Sequence, residues 1–349
     1  MNSNAVVTVS LCYNDAMSDD KKPIPDQALR PKRLADYVGQ ANVVKTLRLF
    51  IDAVRNRGQA GEHVLFYGPP GIGRTTLSYI IASELEGDMK ITSGTALTKT
   101  GDLAAILTNL KDGDVLFIDE IHRMPKTVEE MLYPVMEEYA LDIIIGKGPS
   151  ARTVRLPVPK ITIVASTTKL ALLSAPLRDR FGLLLRLDFY EEPEMVEIIR
   201  RSAKMLGIEL EDKAAKEIAK RARRTPRLAN RILKRSRDMM EVESHEKISL
   251  ELLKSLFSLL EIDELGLTDP DIEYLRLIGD KFQNQPVGIE TISLSLAEDQ
   301  RTVEEFIEPY LLQIGFIMKT PRGRVLTPKA AKHLNIKISQ NGVEEQSLL

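Results

Sequence analysis

Two apolar periods alternate along the first half of the chain. After Gly39, residues Val43, Val44, Leu47, Leu49, Phe50 and Val54 recur at three- and four-residue spacing, which predicts an amphipathic helix. "HVLFYG" follows as a short, unbroken apolar run, and "DVLFIDE" (114–120) and "KITIVAST" (160–167) repeat the pattern. Runs this short and this apolar predict strands buried on both faces, with helical stretches such as "TTLSYIIASEL" between them. Strands alternating with helices predict an α/β fold with a parallel sheet.

Beyond Phe189 the pattern changes. "EEPEMVEIIRRSAKMLGI", "EDKAAKEIAKRARR", "PRLANRILKRSRDMMEV" and "SLELLKSLFSLLEI" all read as helices, so a small all-helical domain is expected over 190–262, with "EIDELGL" as a linker. The remainder, 263–336, offers three helices, at "DPDIEYLRLIGDKF", "GIETISLSLA" and "RTVEEFIEPYLLQI". Thr302 and Glu305 have the spacing of a capping box for the third, and Gly315 would stop it. "FIMKT", "PRGR" and "VLTP" then read as strand, tight turn, strand, and three helices with a basic-tipped hairpin describe a winged helix. The organisation expected is a disordered tail over 1–22, a large α/β domain over 23–189, the helical domain, the winged helix and a flexible tail over 337–349.

Composition narrows the classes. With 43% hydrophobic and 28% charged residues, the chain can build packed cores in water. No apolar run approaches the ~18 residues of a membrane span, and the N-terminus lacks a basic leader. The single cysteine, Cys12, excludes a disulfide framework, so a reducing, cytoplasmic setting is expected. A net charge of −2 announces no nucleic-acid partner. The distribution does more: residues 216–237 hold ten Lys/Arg and one acid, and "KTPRGRVLTPKAAKHLNIK" is a second basic concentration. A solvated helix face explains the first run as well as a binding surface does.

The candidate chemistry centres on "GPPGIGRTT", residues 68–76, between an apolar strand and a helix. A phosphate loop reads Gly, four residues, Gly, Lys, then Ser or Thr; here Gly68, Gly73 and Thr75 fit, and Arg74 stands at the lysine position. Backbone N–H groups of residues 69–75 would cradle phosphates, and the Thr75 hydroxyl would hold Mg²⁺. Asp119 and Glu120 end an apolar strand, where an acid faces the ligand crevice. Asp119 would hold Mg²⁺ through water and Glu120 would polarise the attacking water. Thr167 and Thr168 end another strand, Arg178 and Arg180 lie two apart in "PLRDRFG", and Arg227 could close over a nucleotide; alone, these spacings also fit turn residues and surface ion pairs.

The segments "ALRPKRLADYVGQ", "GDLAAILTNLKDGDVLFIDEIHRM", "VEEMLYPVMEEYALDIIIGKGPSAR", "SAPLRDRFG", "RTPRLANRILKR", "EPYLLQIGF" and "TPRGR" together resemble the RuvB family of bacterial Holliday-junction branch-migration motors, which are AAA+ ATPases. The resemblance runs from about Lys22 to Ile336 and implies an AAA+ P-loop domain, a lid and a winged helix. It implies ATP and Mg²⁺ as cofactors, with Leu29, Arg30 and Tyr190 lining the adenine and ribose pocket. Gly71, Gly73, Arg74, Thr75 and Thr76 would hold the phosphates and metal; Asp119 and Glu120 form the acidic pair, Thr168 the first sensor and Arg227 the second. Arg180 would be an arginine finger acting on a neighbouring subunit, with Arg178 the alternative, and Glu138 and Tyr139 would approach that neighbour's nucleotide. A β-hairpin at about 141–158 would dock on RuvA, while Lys319, Arg322 and Arg324 would touch the DNA backbone. Implied partners are duplex DNA at Holliday junctions, RuvA, RuvC indirectly, and five further copies in a homohexamer acting in recombination, DNA repair and the SOS response.

The sequence departs from the family pattern at Arg74 for lysine, at Ser166 and Lys169 in "ASTTK" where Gly-Ala-Thr-Thr-Arg is usual, and at Arg224 for a glycine before "TPR". The first bears on catalysis, because a planar guanidinium does not replace a compact ammonium. An ATP-binding but hydrolysis-poor ring subunit is therefore the alternative to a motor. A clamp loader or a winged-helix transcription regulator fits the hairpin and the wing less well.

Overall fold

The computed structural model describes residues 29–58, 60–145 and 152–336. The two predicted tails and the Gly-Lys-Gly-Pro hairpin tip lie outside the described residues. Five parallel strands form the central sheet: β1 (Val64–Tyr67), β2 (Met89–Ser93), β3 (Val115–Asp119), β6 (Thr162–Thr167) and β7 (Leu183–Arg186). Their order is β2-β3-β6-β1-β7, every pair parallel. The three central strands are the three apolar runs, and they are buried nearly throughout. The two edge strands are half exposed, which is why neither shows the signal of a buried run.

Helices α1 (Ala41–Arg57) and α2 (Arg74–Glu84) cover one face of the sheet, and α3 (Thr100–Leu107) and α4 (Lys126–Glu138) cover the other. In α1 the predicted stripe holds at Val43, Leu47, Phe50 and Val54, but Leu49 points to solvent and Ile51 packs inward in its place. Strands β4 (Ala140–Ile145) and β5 (Arg152–Pro157) pair antiparallel, giving the arms of the expected hairpin. A short α5 (Ala175–Arg178) precedes β7.

The lid comprises α6 (Glu192–Met205), α7 (Asp212–Arg221), α8 (Pro226–Val242) and α9 (Leu250–Leu259). Its apolar interior is continuous with the α1–α2 side of the sheet, so the lid shares a core with the helix that follows the glycine loop. A separate core begins at Leu267 and fills the last domain. There α10 (Asp269–Arg276), α11 (Ile289–Leu296), α12 (Gln300–Thr302) and α13 (Glu308–Gln313) pack with the hairpin β8 (Ile317–Thr320) and β9 (Gly323–Leu326), followed by α14 (Pro328–Leu334).

The Thr302–Glu305 capping box does not form. Asp299 caps the helix start by accepting from Arg301 N–H, and Val303–Ile307 winds as a π-turn between α12 and α13. Pro309 explains the turn, since it lacks the N–H that would bond the Glu305 carbonyl in an α-helix. Released from the cap, Glu305 reaches the α/β domain. Its Oε1 lies 2.8 Å from Lys169 Nζ and its Oε2 3.9 Å from Arg123 Nη2.

Candidate active site

The loop between β1 and α2 turns through glycine-only geometry. Gly71 has φ +79°, and a Cβ there would sit 3.1 Å from Cβ of Arg227. Gly73 has φ +105°, and a Cβ there would meet the Tyr37 hydroxyl at 2.6 Å. Both positions need the missing side chain, for backbone angle and for space. The lid closes directly on this loop: Arg227 N–H donates to the Gly71 carbonyl at 3.3 Å. Underneath, the Tyr190 hydroxyl donates to the Ile72 carbonyl at 3.1 Å and meets Tyr37 Oη at 2.7 Å. Burial pushes the Tyr190 phenol up to about 12, so it remains a protonated donor holding the loop.

A cavity of about 720 Å³ opens above, lined by Arg30, Gly71, Gly73, Thr75, Asp119 and Arg227 among others. Arg74, Thr76 and Glu120 complete the predicted set on its wall. Leu29, next to Arg30 in the chain, is buried and is not among the residues that line it. Thr168 joins through Glu120, donating from its hydroxyl to Oε2 at 3.0 Å and from its N–H at 3.3 Å. Sequence reasoning missed Arg231, Lys234 and Arg235, which line the same cavity from successive turns of α8. Their spacing from Arg227 was the available signal: the ambiguous basic run turns one edge inward.

Arg74 is 8% exposed and turned beneath the loop. Nη1 donates to the carbonyls of Gly68 (2.7 Å) and Thr167 (2.8 Å), and Nη2 pairs with Glu120 Oε1 at 3.1 Å. Three of the five guanidinium N–H donors are thus committed within the protein. Burial lowers the Arg74 pKa while the nearby Glu120 and Asp119 charges oppose that fall. His122 Nδ1 lies 3.2 Å from Glu120 Oε2 and 2.9 Å from Thr167 Oγ1, and burial pulls its pKa below the ordinary value, favouring the neutral ring. Asp119 Oδ1 accepts from Glu120 N–H at 3.0 Å and from the Ser166 hydroxyl. Both of these bonds fall on Oδ1, and Asp119 lines the cavity together with Thr75. One carboxylate oxygen plus the Thr75 hydroxyl suits a magnesium ion, which takes few protein ligands and keeps water and phosphate oxygens.

The remaining predicted residues lie elsewhere. Arg180 stacks 4.3 Å over the Tyr133 ring, pairs with Glu137 at 3.0 Å and donates to the Pro176 carbonyl at 2.6 Å. Glu138, ion-paired with Arg155, lines a second cavity of about 590 Å³ with Tyr133, Glu137 and Asp142. Tyr139 caps α4 with φ +50°. None of the three lines this chain's own loop cavity. In the winged helix, Arg322 is exposed at the turn. Arg324 instead donates from Nε to the fully buried Glu308 at 2.7 Å, and Lys319 Nζ reaches the other oxygen at 2.6 Å. Burial alone would push the Glu308 carboxyl up, but those two hydrogen bonds outweigh it and hold its pKa below the ordinary value. Arg224 occupies its glycine-like position at φ +57°, held by donation to the Tyr190 carbonyl at 2.8 Å and by Glu191.

A glycine loop on a parallel sheet, an acidic pair, a lid closing through an arginine helix and an appended winged helix define a P-loop ATPase of the AAA+ class. Residues 29–187 match the family described as the Holliday junction DNA helicase RuvB P-loop domain, 190–263 the RuvB AAA lid domain, and 264–335 the RuvB C-terminal winged helix domain. The Holliday junction branch migration complex subunit RuvB of Clostridium kluyveri is 54% identical over 310 residues, 89% of each chain. The Thermotoga maritima RuvB Holliday junction branch migration motor superposes with a TM-score of 0.80 at 46% identity, covering 90% of this chain and 100% of that one. A Lys-to-Arg mutant of the Thermotoga protein gives 0.81 at 47% identity, covering 89% and 99%. The chain belongs to the RuvB family.

Proposed function

We propose that this protein is the ATP-driven motor of branch migration, hydrolysing ATP to pull duplex DNA through Holliday junctions during recombination and repair. The observation that carries this is the direct closure of α8 on the phosphate loop, with Arg227 facing a cavity that also holds Asp119 and Glu120. ATP would lie in that cavity with its phosphates on the loop N–H groups and its base toward Leu29, Arg30 and Tyr190. Thr75 and Asp119 would hold Mg²⁺, which draws charge from the phosphate oxygens. Glu120 takes the proton of the attacking water, Thr168 orients Glu120 and senses the γ-phosphate, and Arg227 reports phosphate loss to the lid. Arg180, Glu138 and Tyr139 complete a neighbouring copy's site in a homohexamer. The β4–β5 hairpin supplies the RuvA docking surface, and RuvC joins through that complex. No helix among the described residues is long and apolar enough to cross a membrane.

The Glu305 bridge to Lys169 offers a mechanical path, because Lys169 follows Thr168 directly. DNA held by the wing therefore pulls next to the sensor. Arg322 is the expected backbone contact, while Lys319 and Arg324, tied to Glu308, shape the wing and lend charge. Phosphate contacts grip without reading sequence, as a translocating motor requires. Replacing Arg322→Glu should weaken duplex binding on all sequences alike and reduce the salt slope of binding by about one. It should also weaken DNA stimulation of ATP hydrolysis in parallel. Unchanged affinity and stimulation would move the DNA-binding surface off the wing.

A further inference from the structure

Two of the departures from the family pattern meet on the acidic pair. Ser166, fully buried in β6, donates its hydroxyl to Asp119 Oδ1. Arg74, the first residue of α2, pairs with Glu120 and donates to the carbonyl of Thr167, the residue after Ser166. The two acids are themselves joined, since Glu120 N–H donates to the same Asp119 oxygen that Ser166 holds. A guanidinium drawing Glu120 toward the loop pulls on the peptide that carries that N–H. Without a second donor, the Asp119 carboxylate would be free to rotate toward the cation. Ser166 supplies that donor on Oδ1, which leaves Oδ2 as the oxygen available to the cavity that Asp119 lines.

We propose that Ser166 is a positioning residue that aims Asp119 Oδ2 at the metal, and that this chain needs it because Arg74 stands beside Glu120. The inference rests on the ATPase reading of the cavity. It also gives a hydrogen-bond partner to a fully buried hydroxyl near the end of β6, where an unbonded one would be costly.

The test is a cycle of Ser166→Ala, Arg74→Lys and the double variant. Alanine is the family's usual residue at this position, so the strand should fold, and thermal melting of each variant checks that it does. The readout is Mn²⁺ affinity in the presence of a non-hydrolysable ATP analogue, followed by electron paramagnetic resonance, so no turnover is required. Losing a hydrogen bond to a charged group should weaken Mn²⁺ binding roughly tenfold in the Ser166→Ala protein. In the Arg74→Lys background the same change should cost less than about threefold, a coupling between neighbouring sites. Unchanged Mn²⁺ affinity in Ser166→Ala, or an equal loss in both backgrounds, would overturn the proposal. Failure of the unaltered chain to bind the analogue at all would instead overturn the ATPase reading beneath it.

Discussion

Arg180→Ala is expected to reduce junction-stimulated ATP hydrolysis on the order of a thousandfold while leaving ATP affinity nearly unchanged, the size of effect seen when an arginine finger is removed. The reason is positional. Arg180 sits on the α4 flank against Tyr133 and Glu137, and this chain's own loop cavity does not include it. A guanidinium there serves catalysis only if another copy brings its nucleotide alongside. Mixing Arg180→Ala with Glu120→Gln subunits should therefore recover activity that neither variant has alone. One variant supplies the acid and the other the finger. Hydrolysis within a few-fold of normal in Arg180→Ala, or mixtures as inactive as their parts, would show that the finger lies elsewhere.

The second large effect runs the other way. Arg74→Lys is expected to raise turnover on the order of a hundredfold, since roughly 1 Å of misplacement at a reacting group has a cost of that size. Arg74 directs three donors at Gly68, Thr167 and Glu120, all within the protein. Lysine would give up the bidentate reach to those carbonyls, free Glu120 Oε1 and place a compact charge at the β- and γ-phosphates. ATP binding should change far less, because the loop N–H groups and Arg227 remain. Steady-state kinetics on the two proteins decides it: equal turnover would mean that Arg74 leaves Glu120 whenever ATP is present.

Much of this was legible in the chain. Val115–Asp119 and Thr162–Thr167 announce themselves because central strands are buried on both faces. Met89–Ser93 and Leu183–Arg186 do not, because edge strands keep one side in water and mix polar with apolar residues. Motif spacing pointed to Gly73, Thr75, Asp119 and Glu120, and the fold gathers the four around one cavity, since loop and strand end are fixed by local geometry. Where a side chain turns is another matter. That Arg74 points at Glu120, or that Arg324 and Lys319 converge on buried Glu308, depends on charges brought together from distant segments. The Thr302–Glu305 spacing was a fair capping signal, but Pro309 and the pull of Lys169 outweighed a local preference.

The most direct measurement is branch migration of a synthetic four-way junction by the unaltered chain with RuvA, followed by the separation of its arms. An ATP-driven motor predicts arm separation that requires ATP, Mg²⁺ and RuvA together, accelerates in Arg74→Lys and is abolished in Glu120→Gln. Arm separation absent under all these conditions, with ATP hydrolysis indifferent to junction DNA, would contradict it.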